Sequence, residues 1–570
     1  MLINRKKINL IFKSLVFFLL SLGFYSSINI GFSWDEYFHH INGLVRFNFL
    51  TSFGENQNYQ FRNNKFYPGL YDTISYAFAH LFLLIDKKIF VNYLAELMHL
   101  CNFTFAVLGV YGLYLITKKI FNRNIALLAS LLTLSNPFFF GHMSMNSKDI
   151  IIFFSLIWFC NYFYSYCIDE KNNLKNLILS SIFIGFGCGV RLTFLIVIFP
   201  VVISGLIFLI KIFKNNYSTL LKRLFFHIII ACIIIIFFVI ICWPHMMIEI
   251  KNGNFREFFL LIIKNTINWN DGPKVGLING EFYPVFDTPR TYILNFFIYR
   301  MPLYSSILIL VSYYLFLHKK LSNYDENFNI KFLILNFTAL FPILLALILK
   351  VNMYDNIRLF LFVIPLLSLI AAFSLNYLID QIYIKRLFKI INIFILFLFF
   401  ISIYRFTSLT PYQYSYVNFT YPIYEKSLGK FEHDYWGLSY KELVLKIKKK
   451  YSKEEIKKFR IADCGGGDYT LLYYLNKYLG IKRTYSNKDD LVNATHIVMN
   501  DRTFWDIYEN KEVQKFLNYD GSVNIKDLKE IFQVKDLNQR CFAYESFNGT
   551  DEVTVSRSNL PLTVFRKLNK

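Results

Sequence analysis

Metal-ligand spacing is missing from this 570-residue chain: its eight cysteines form no paired or Cys/His-clustered motif. Cys101, Cys160, Cys188, Cys232 and Cys242 lie in or near apolar segments, where a free thiol behaves as a small hydrophobe. Cys464 and Cys541 lie in the polar C-terminal region and can pair if that region occupies an oxidising compartment. No internal repeat is visible, which weighs against an inverted-repeat transporter. A cleavable leader is also missing. Arg5-Lys-Lys7 and the apolar stretch to about Ile30 lack an A-x-A-like site and are long enough to span, so they read as a retained first helix. Acidic residues are few, 39 against 61 Lys plus Arg, a net charge of +22. The excess lies largely in short loops beside apolar runs, where membrane topology demands it. It is therefore no argument for a nucleic-acid partner.

Apolar residues are what the chain has in abundance. They make up 55% of it, with 64 Phe and 40 Tyr, and the mean hydropathy is +0.38. A soluble fold could not bury that many long runs. Crossing the hydrocarbon takes roughly 20 apolar residues per helix, and about eleven segments qualify. They are 9–31, 91–117, 125–141, 150–168, 177–190, 192–210, 225–243, 292–317, 331–350, 358–379 and 388–405. The segment 68–86 is short and contains an Asp, so it reads as a helix lying in the interface. With a cytoplasmic N-terminus, every inside turn is basic: Lys118, Lys119 and Arg123; Lys171 and Lys175; Lys211, Lys214, Lys222 and Arg223; Lys319 and Lys320; Lys385, Arg386 and Lys389. An odd number of spans then places the tail outside.

The expected architecture is an α-helical polytopic membrane domain over 1–405 and a small extracytoplasmic α/β domain over 406–570. In the tail, Arg460–Asp463, Thr495–Met499, Val553–Val555 and Leu562–Phe565 read as strands and Tyr469–Leu479 as a helix. Ile461-Ala-Asp-Cys-Gly-Gly-Gly-Asp468 has the look of a nucleotide loop, but a plain strand–turn–helix corner is the better reading. Long loops, 32–90 and 244–291, fall on the outer face only, and function is expected there.

Three groups of residues on that face can carry chemistry. Asp35 and Glu36 stand at the mouth of the first helix, where ionisable groups are functional candidates by default. The turn Asn136–Asp149 carries His142, Lys148 and Asp149. Asp149 can act beside Asp35 if the two mouths are adjacent, or it can simply cap the next helix. Arg191, Arg290, Arg300 and Arg358 are outward-facing cations suited to gripping a phosphate bidentately, or to pairing with acids such as Asp355.

Several stretches together resemble the GT-C superfamily of integral-membrane glycosyltransferases, in particular the protein O-mannosyltransferase and aminoarabinose-transferase-like group. They are Trp34-Asp-Glu36, Tyr67-Pro-Gly-Leu-Tyr71, Asn146-Ser-Lys-Asp149, Pro289-Arg-Thr-Tyr292 with Arg300-Met-Pro302, and Tyr354-Asp-Asn-Ile-Arg358. Pro411–Asn418 and Phe431–Gly437 match a pattern of uncharacterised bacterial members, and the likeness covers about residues 1–440. The resemblance implies an inverting transfer from a polyprenyl- or dolichyl-phosphate sugar. Asp35 would be the catalytic base with Glu36 in support, and Tyr67 and Tyr354 would lie in the substrate site. A base takes the acceptor proton and cations stabilise the departing phosphate. Lys65 is the nearest lysine to the 68–86 segment for that phosphate, and Trp269 and Tyr283 are aromatics that can stack on a sugar. No cofactor is required, although His39, His40 or His142 beside the acids would admit a divalent metal. The expected partners are the lipid-linked donor, a glycan, lipid or protein acceptor, and the bilayer. The rival readings are an oligosaccharide transferase or ligase with a pyrophosphate-linked donor, and a lipid or sugar transporter.

Overall fold

The computed structural model describes residues 5–61, 64–169, 173–212, 217–267, 275–321, 327–381, 386–464, 468–485, 493–500 and 548–569. The first half runs α1 (Arg5–Asn29), α2 (Trp34–Thr51), α3 (Leu70–Ile85), α4 (Lys87–Ile120), α5 (Arg123–Leu134), α6 (Pro137–His142), α7 (Asp149–Ile168), α8 (Asn173–Cys188), α9 (Phe194–Ile212) and α10 (Tyr217–Ile240). The long connection between α10 and the next apolar segment holds α11 (Pro244–Lys251), α12 (Phe255–Ile267) and the hairpin β1 (Val275–Ile278) and β2 (Glu281–Pro284). Then come α13 (Tyr292–Arg300), α14 (Leu303–Leu317), α15 (Phe328–Leu349), α16 (Val363–Gln381) and α17 (Arg386–Ser408). The tail comprises α18 (Tyr440–Lys450), α19 (Lys453–Lys457), β3 (Ile461–Cys464), α20 (Asp468–Leu479), β4 (His496–Asn500), β5 (Gly549–Arg557) and β6 (Leu560–Leu568).

The chain is an integral membrane protein, and all eleven apolar segments of the sequence are helical. Among the described residues, α1, α4, α7, α9, α10, α15, α16 and α17 are long and apolar enough to cross a bilayer. The expected span 292–317 is instead a pair, α13 and α14, bent by 111° at Arg300-Met-Pro302. Pro302 has no amide to continue the ladder and holds Met301 extended at φ −80°, ψ 136°. The expected span 125–141 is divided at Asn136-Pro137. There the Asn136 carboxamide oxygen accepts from the Phe139 amide at 3.0 Å and starts α6. What remains, α5, is buried from Ile125 to Leu134 and packs against α1, α4 and α16. A helix that is apolar all round belongs in a core. By contrast, α10 leaves Leu221, Phe225, Phe226, Ile229 and Ile233 exposed, as a lipid-facing helix does.

Segment 68–86 forms α3, which packs on α2 and α4. Gly43 makes the α2–α3 approach close: a Cβ there would lie 2.2 Å from the Asp72 carbonyl oxygen. The β1–β2 hairpin turns through Asn279-Gly280, both at positive φ (49° and 90°), the pairing a type I′ turn favours.

In the tail the sheet order is β3-β4-β6-β5, with β3 and β4 parallel across the α20 crossover and the other pairs antiparallel. Each strand and helix expected there is present. β3 ends at Cys464 and α20 begins at Asp468; the glycines 465–467 lie outside the described residues. Cys464 is disulfide-bonded; Cys541, the partner the sequence suggests, lies outside the described residues. The apolar core does not stop at 405. Tyr414, Tyr435, Trp436, Leu438 and Tyr440 are buried in the same cluster as residues of α4, α5 and α16. The tail is also fastened to the start of α2: the Gly31 amide donates to the Leu438 carbonyl (2.9 Å) and the Phe32 amide to the Tyr474 hydroxyl (2.8 Å).

Candidate functional site

Ser33 begins α2 with a capping box. Its hydroxyl accepts from the Glu36 amide at 3.3 Å, and the Glu36 carboxylate accepts from the Ser33 amide at 2.8 Å. The same Glu36 oxygen lies 3.1 Å from His99 Nε2. Glu36 is 2% exposed. Its carboxylate is thus committed to the helix start and to α4. It stands next to Asp35 in the chain without facing the mouth that Asp35 faces.

That neighbour, Asp35, keeps 39% of its side chain exposed and meets Arg358 Nη1 at 2.8 Å. Arg358 follows a sharp turn in which Asp355 and Asn356 both take the left-handed conformation (φ 55° and 63°), which Asp and Asn tolerate better than other side chains. Its second arm meets Asp355 at 3.2 Å. The guanidinium carbon also lies 5.1 Å from the Tyr354 ring centroid and 4.8 Å from that of Trp436.

The third part comes from the start of α7. Asp149 is buried, pairs with Arg191 at 2.7 Å and accepts from the Asn146 carboxamide at 2.9 Å. It is not the capping side chain; the Asn146 oxygen takes the Asp149 amide at 2.9 Å. Beside it, Lys148 Nζ lies 4.5 Å from the Tyr67 ring centroid. Asp72, from α3, faces His39 at 3.1 Å and accepts from Asn42.

These groups share one electrostatic field. Partial burial works to raise the Asp35 pKa, but Arg358 first, then His39 and Lys148, outweigh it and hold the carboxyl below its usual range. Asp35 is therefore ionised at neutral pH. Lys148 is pushed down to about 8, by burial first and by Arg191 next, against the pull of Asp72 and Asp35.

The structure therefore brings together Asp35, Asp149, Tyr67, Lys148, Arg191, Tyr354 and Arg358. Five expected residues stand elsewhere. His142 is fully buried, with its nitrogens at the Phe138 carbonyl (2.8 Å) and the Tyr435 hydroxyl (3.1 Å). Arg300 is fully buried and donates to the carbonyls of Tyr416 (2.6 Å) and Glu432 (3.0 Å), tying the α13–α14 break to the tail. Arg290 is exposed on the rim of a shallow hollow with Leu294, Leu347 and Ile348. Lys65 is exposed over the Phe66 ring at 4.8 Å; the lysine in the cluster is Lys148. Tyr283 is buried and donates to the Met353 carbonyl at 3.0 Å, so it is not a stacking surface. Trp269 lies outside the described residues.

Sequence reasoning missed Asp72 and Trp436 as parts of this site, although both stood in segments it singled out. Among the described residues, no three His, Cys, Asp or Glu side chains are grouped to hold a metal ion. His39 is taken by Asp72, and His40 and His142 are buried.

Residues 76–243 match a family model described as dolichyl-phosphate-mannose-protein mannosyltransferase. The resemblance read from the motifs is thus met independently over that stretch, from α3 to the end of α10. No curated protein matches. Among solved structures, the chain is similar to ArnT from Cupriavidus metallidurans in the apo state, at 10% identity and TM-score 0.48, covering 97% of each chain. The same protein bound to undecaprenyl phosphate gives 11% and 0.47, again over 97% of each chain. The archaeal oligosaccharyltransferase AglB from Archaeoglobus fulgidus gives 12% and 0.40, over 85% of this chain and 69% of that one.

Proposed function

We propose that this protein is an inverting glycosyltransferase. It moves a sugar from a polyprenyl-phosphate donor to an acceptor hydroxyl on the extracytoplasmic face, with its N-terminus cytoplasmic and its C-terminal region outside. The observation that carries the reading is the Asp35–Arg358 pair at 2.8 Å, part-exposed at a mouth that also holds Lys148. A proton acceptor and two cations for a phosphate stand together there. In this reading the acceptor oxygen attacks the anomeric carbon while Asp35 takes its proton, and the bond from that carbon to the phosphate oxygen breaks. Arg358 and Lys148 take up the charge that develops on the departing lipid phosphate. An arriving phosphate competes with Asp35 for Arg358, and that exchange frees the carboxylate to act as a base. One carboxylate is enough for a direct displacement, and the reaction requires no cofactor.

The test uses purified protein in detergent with radiolabelled polyprenyl-phosphate sugars and a membrane lipid extract as acceptor source. Transfer of label by the wild type names the donor, and Arg358→Ala should then raise the donor KM by about tenfold or more, as loss of a charge-assisted contact does. An unchanged KM would remove Arg358 from the phosphate site. No transfer and no donor binding would overturn the reading.

Lys148 gives a pH prediction. Its pKa of about 8 means the cation is present below that pH and lost above it. Donor kcat/KM should therefore fall as pH rises through about 8. Lys148→Arg keeps its charge and should carry the plateau to higher pH. A fall of the same midpoint in both proteins would show that another group titrates.

A further inference from the structure

Trp436, in the tail, touches Arg358 and the residue before Asp35, and the chemistry above gives it no role. It is 2% exposed. Its carbonyl accepts from the Trp34 amide at 3.1 Å, one residue before Asp35. Its ring centroid lies 4.8 Å from the Arg358 guanidinium carbon. Its indole Nε1–H donates to Asp355 Oδ2 at 3.0 Å, the same carboxylate oxygen that Arg358 meets at 3.2 Å. His142 packs edge-on behind it at 5.7 Å.

Arg358 thus has two carboxylates to choose between. Asp35 is part-exposed at the mouth; Asp355 is buried beside the tail. The groups whose negative charges bear most on Arg358 are Asp35, Asp355, Tyr354 and Asp149, and Lys148 opposes them. A hydrogen bond donated into Asp355 withdraws part of that carboxylate's pull on the guanidinium. More of the cation's charge is then available on the open side, to Asp35 when the site is empty and to a phosphate when it is filled. The strength of this effect depends on burial, since a charge-assisted bond counts for more away from water.

We infer that Trp436 is a positioning residue: its indole N–H holds down Asp355 so that Arg358 faces the mouth, which makes the C-terminal region a working part of the site. This rests on the proposed transfer reaction. Trp436→Phe keeps an aromatic face over Arg358 and removes only the donor. It should raise the KM for the polyprenyl-phosphate sugar about five- to tenfold, the scale of one ordinary net hydrogen bond, with a much smaller change in kcat.

The deciding measurement is a double-mutant cycle with Asp355→Asn. In the Asp355→Asn protein the competing charge is gone, so adding Trp436→Phe should leave the donor KM within about twofold. A purely packing role for Trp436 predicts the same penalty in both backgrounds, and that result overturns the inference. A Trp436→Phe protein with wild-type kinetics overturns it as well. Thermal unfolding of each variant shows whether a loss of activity is a loss of fold; if Trp436→Phe unfolds early, Trp436→Tyr makes the same comparison. Arg358→Ala run alongside separates the two levels of argument. If it raises the donor KM while the cycle shows no coupling, only the role of Trp436 falls. If it leaves the KM unchanged, the phosphate site itself falls.

Discussion

Asp35→Asn is expected to insert and fold as the wild type does and to lose about 10²- to 10⁴-fold in transfer rate, the range a general base contributes. The substitution keeps the shape and an oxygen that accepts from Arg358, and it removes the ability to take a proton. Folding should survive because Asp35 is 39% exposed and the start of α2 is held by Ser33 and Glu36. Asp35→Glu places the carboxylate about one bond farther out and should recover part of the rate, since a base must lie within hydrogen-bond reach of the proton it removes. Asp149 supplies the control. It is another acid of the cluster, but it is buried against Arg191 and Asn146. If Asp149→Asn abolishes transfer and Asp35→Asn retains it in full, the base has been assigned to the wrong carboxylate.

The parts of this site that were legible in the sequence are those fixed by position relative to a membrane. Asp35, Lys148 and Arg358 each follow or precede an apolar run at the same face, so topology alone gathers them. Two kinds of information were not readable. The first is what a polar side chain does once it is placed. Glu36 and Asp35 are chemically alike and adjacent, yet successive residues on a helix point about 100° apart. One is drawn into the capping box and His99, and the other faces Arg358. His142 and Arg300 carried the same ambiguity; the distant Tyr435 hydroxyl settled the first and the carbonyls of Tyr416 and Glu432 the second. The second is long-range contact. Trp436 lies 81 residues from Asp355, and Asp72 lies 33 residues from His39. No local pattern encodes either meeting. The bend at Arg300-Met-Pro302 is intermediate: Pro302 marks it plainly, but unbroken apolarity on both sides hides it from a reading by hydropathy.

Arg46→Met is expected to have the largest effect on stability. Arg46 is fully buried in α2, and every arm of its guanidinium is engaged. Nε donates to the Asn42 side chain at 3.0 Å and Nη1 to the Cys242 carbonyl at 2.5 Å. Nη2 donates to the carbonyls of Asn64 (2.7 Å) and Tyr67 (3.0 Å). One side chain thus joins α2, the loop between α2 and α3 and the turn after α10, in a place so tight that a Cβ on Gly69 would lie 2.3 Å from Arg46 Nε. Methionine fills much of the volume but leaves three carbonyls without these donors, and of the positive groups beside Asp72 it removes one and leaves His39 and Lys148. Breaking a buried charged network from one side costs about 3–5 kcal/mol. Lysine should rescue only in part, because a single ammonium cannot reach acceptors spread around a planar fork. Thermal unfolding in detergent, followed by proteolysis of the loop between α2 and α3, reads both effects. The loop also carries Tyr67, whose ring lies against Lys148. Any Arg46→Met protein that stays folded should therefore show a raised donor KM with its kcat less affected. Wild-type unfolding of Arg46→Met would mean that the loop is held by its apolar contacts and that the arginine network is incidental.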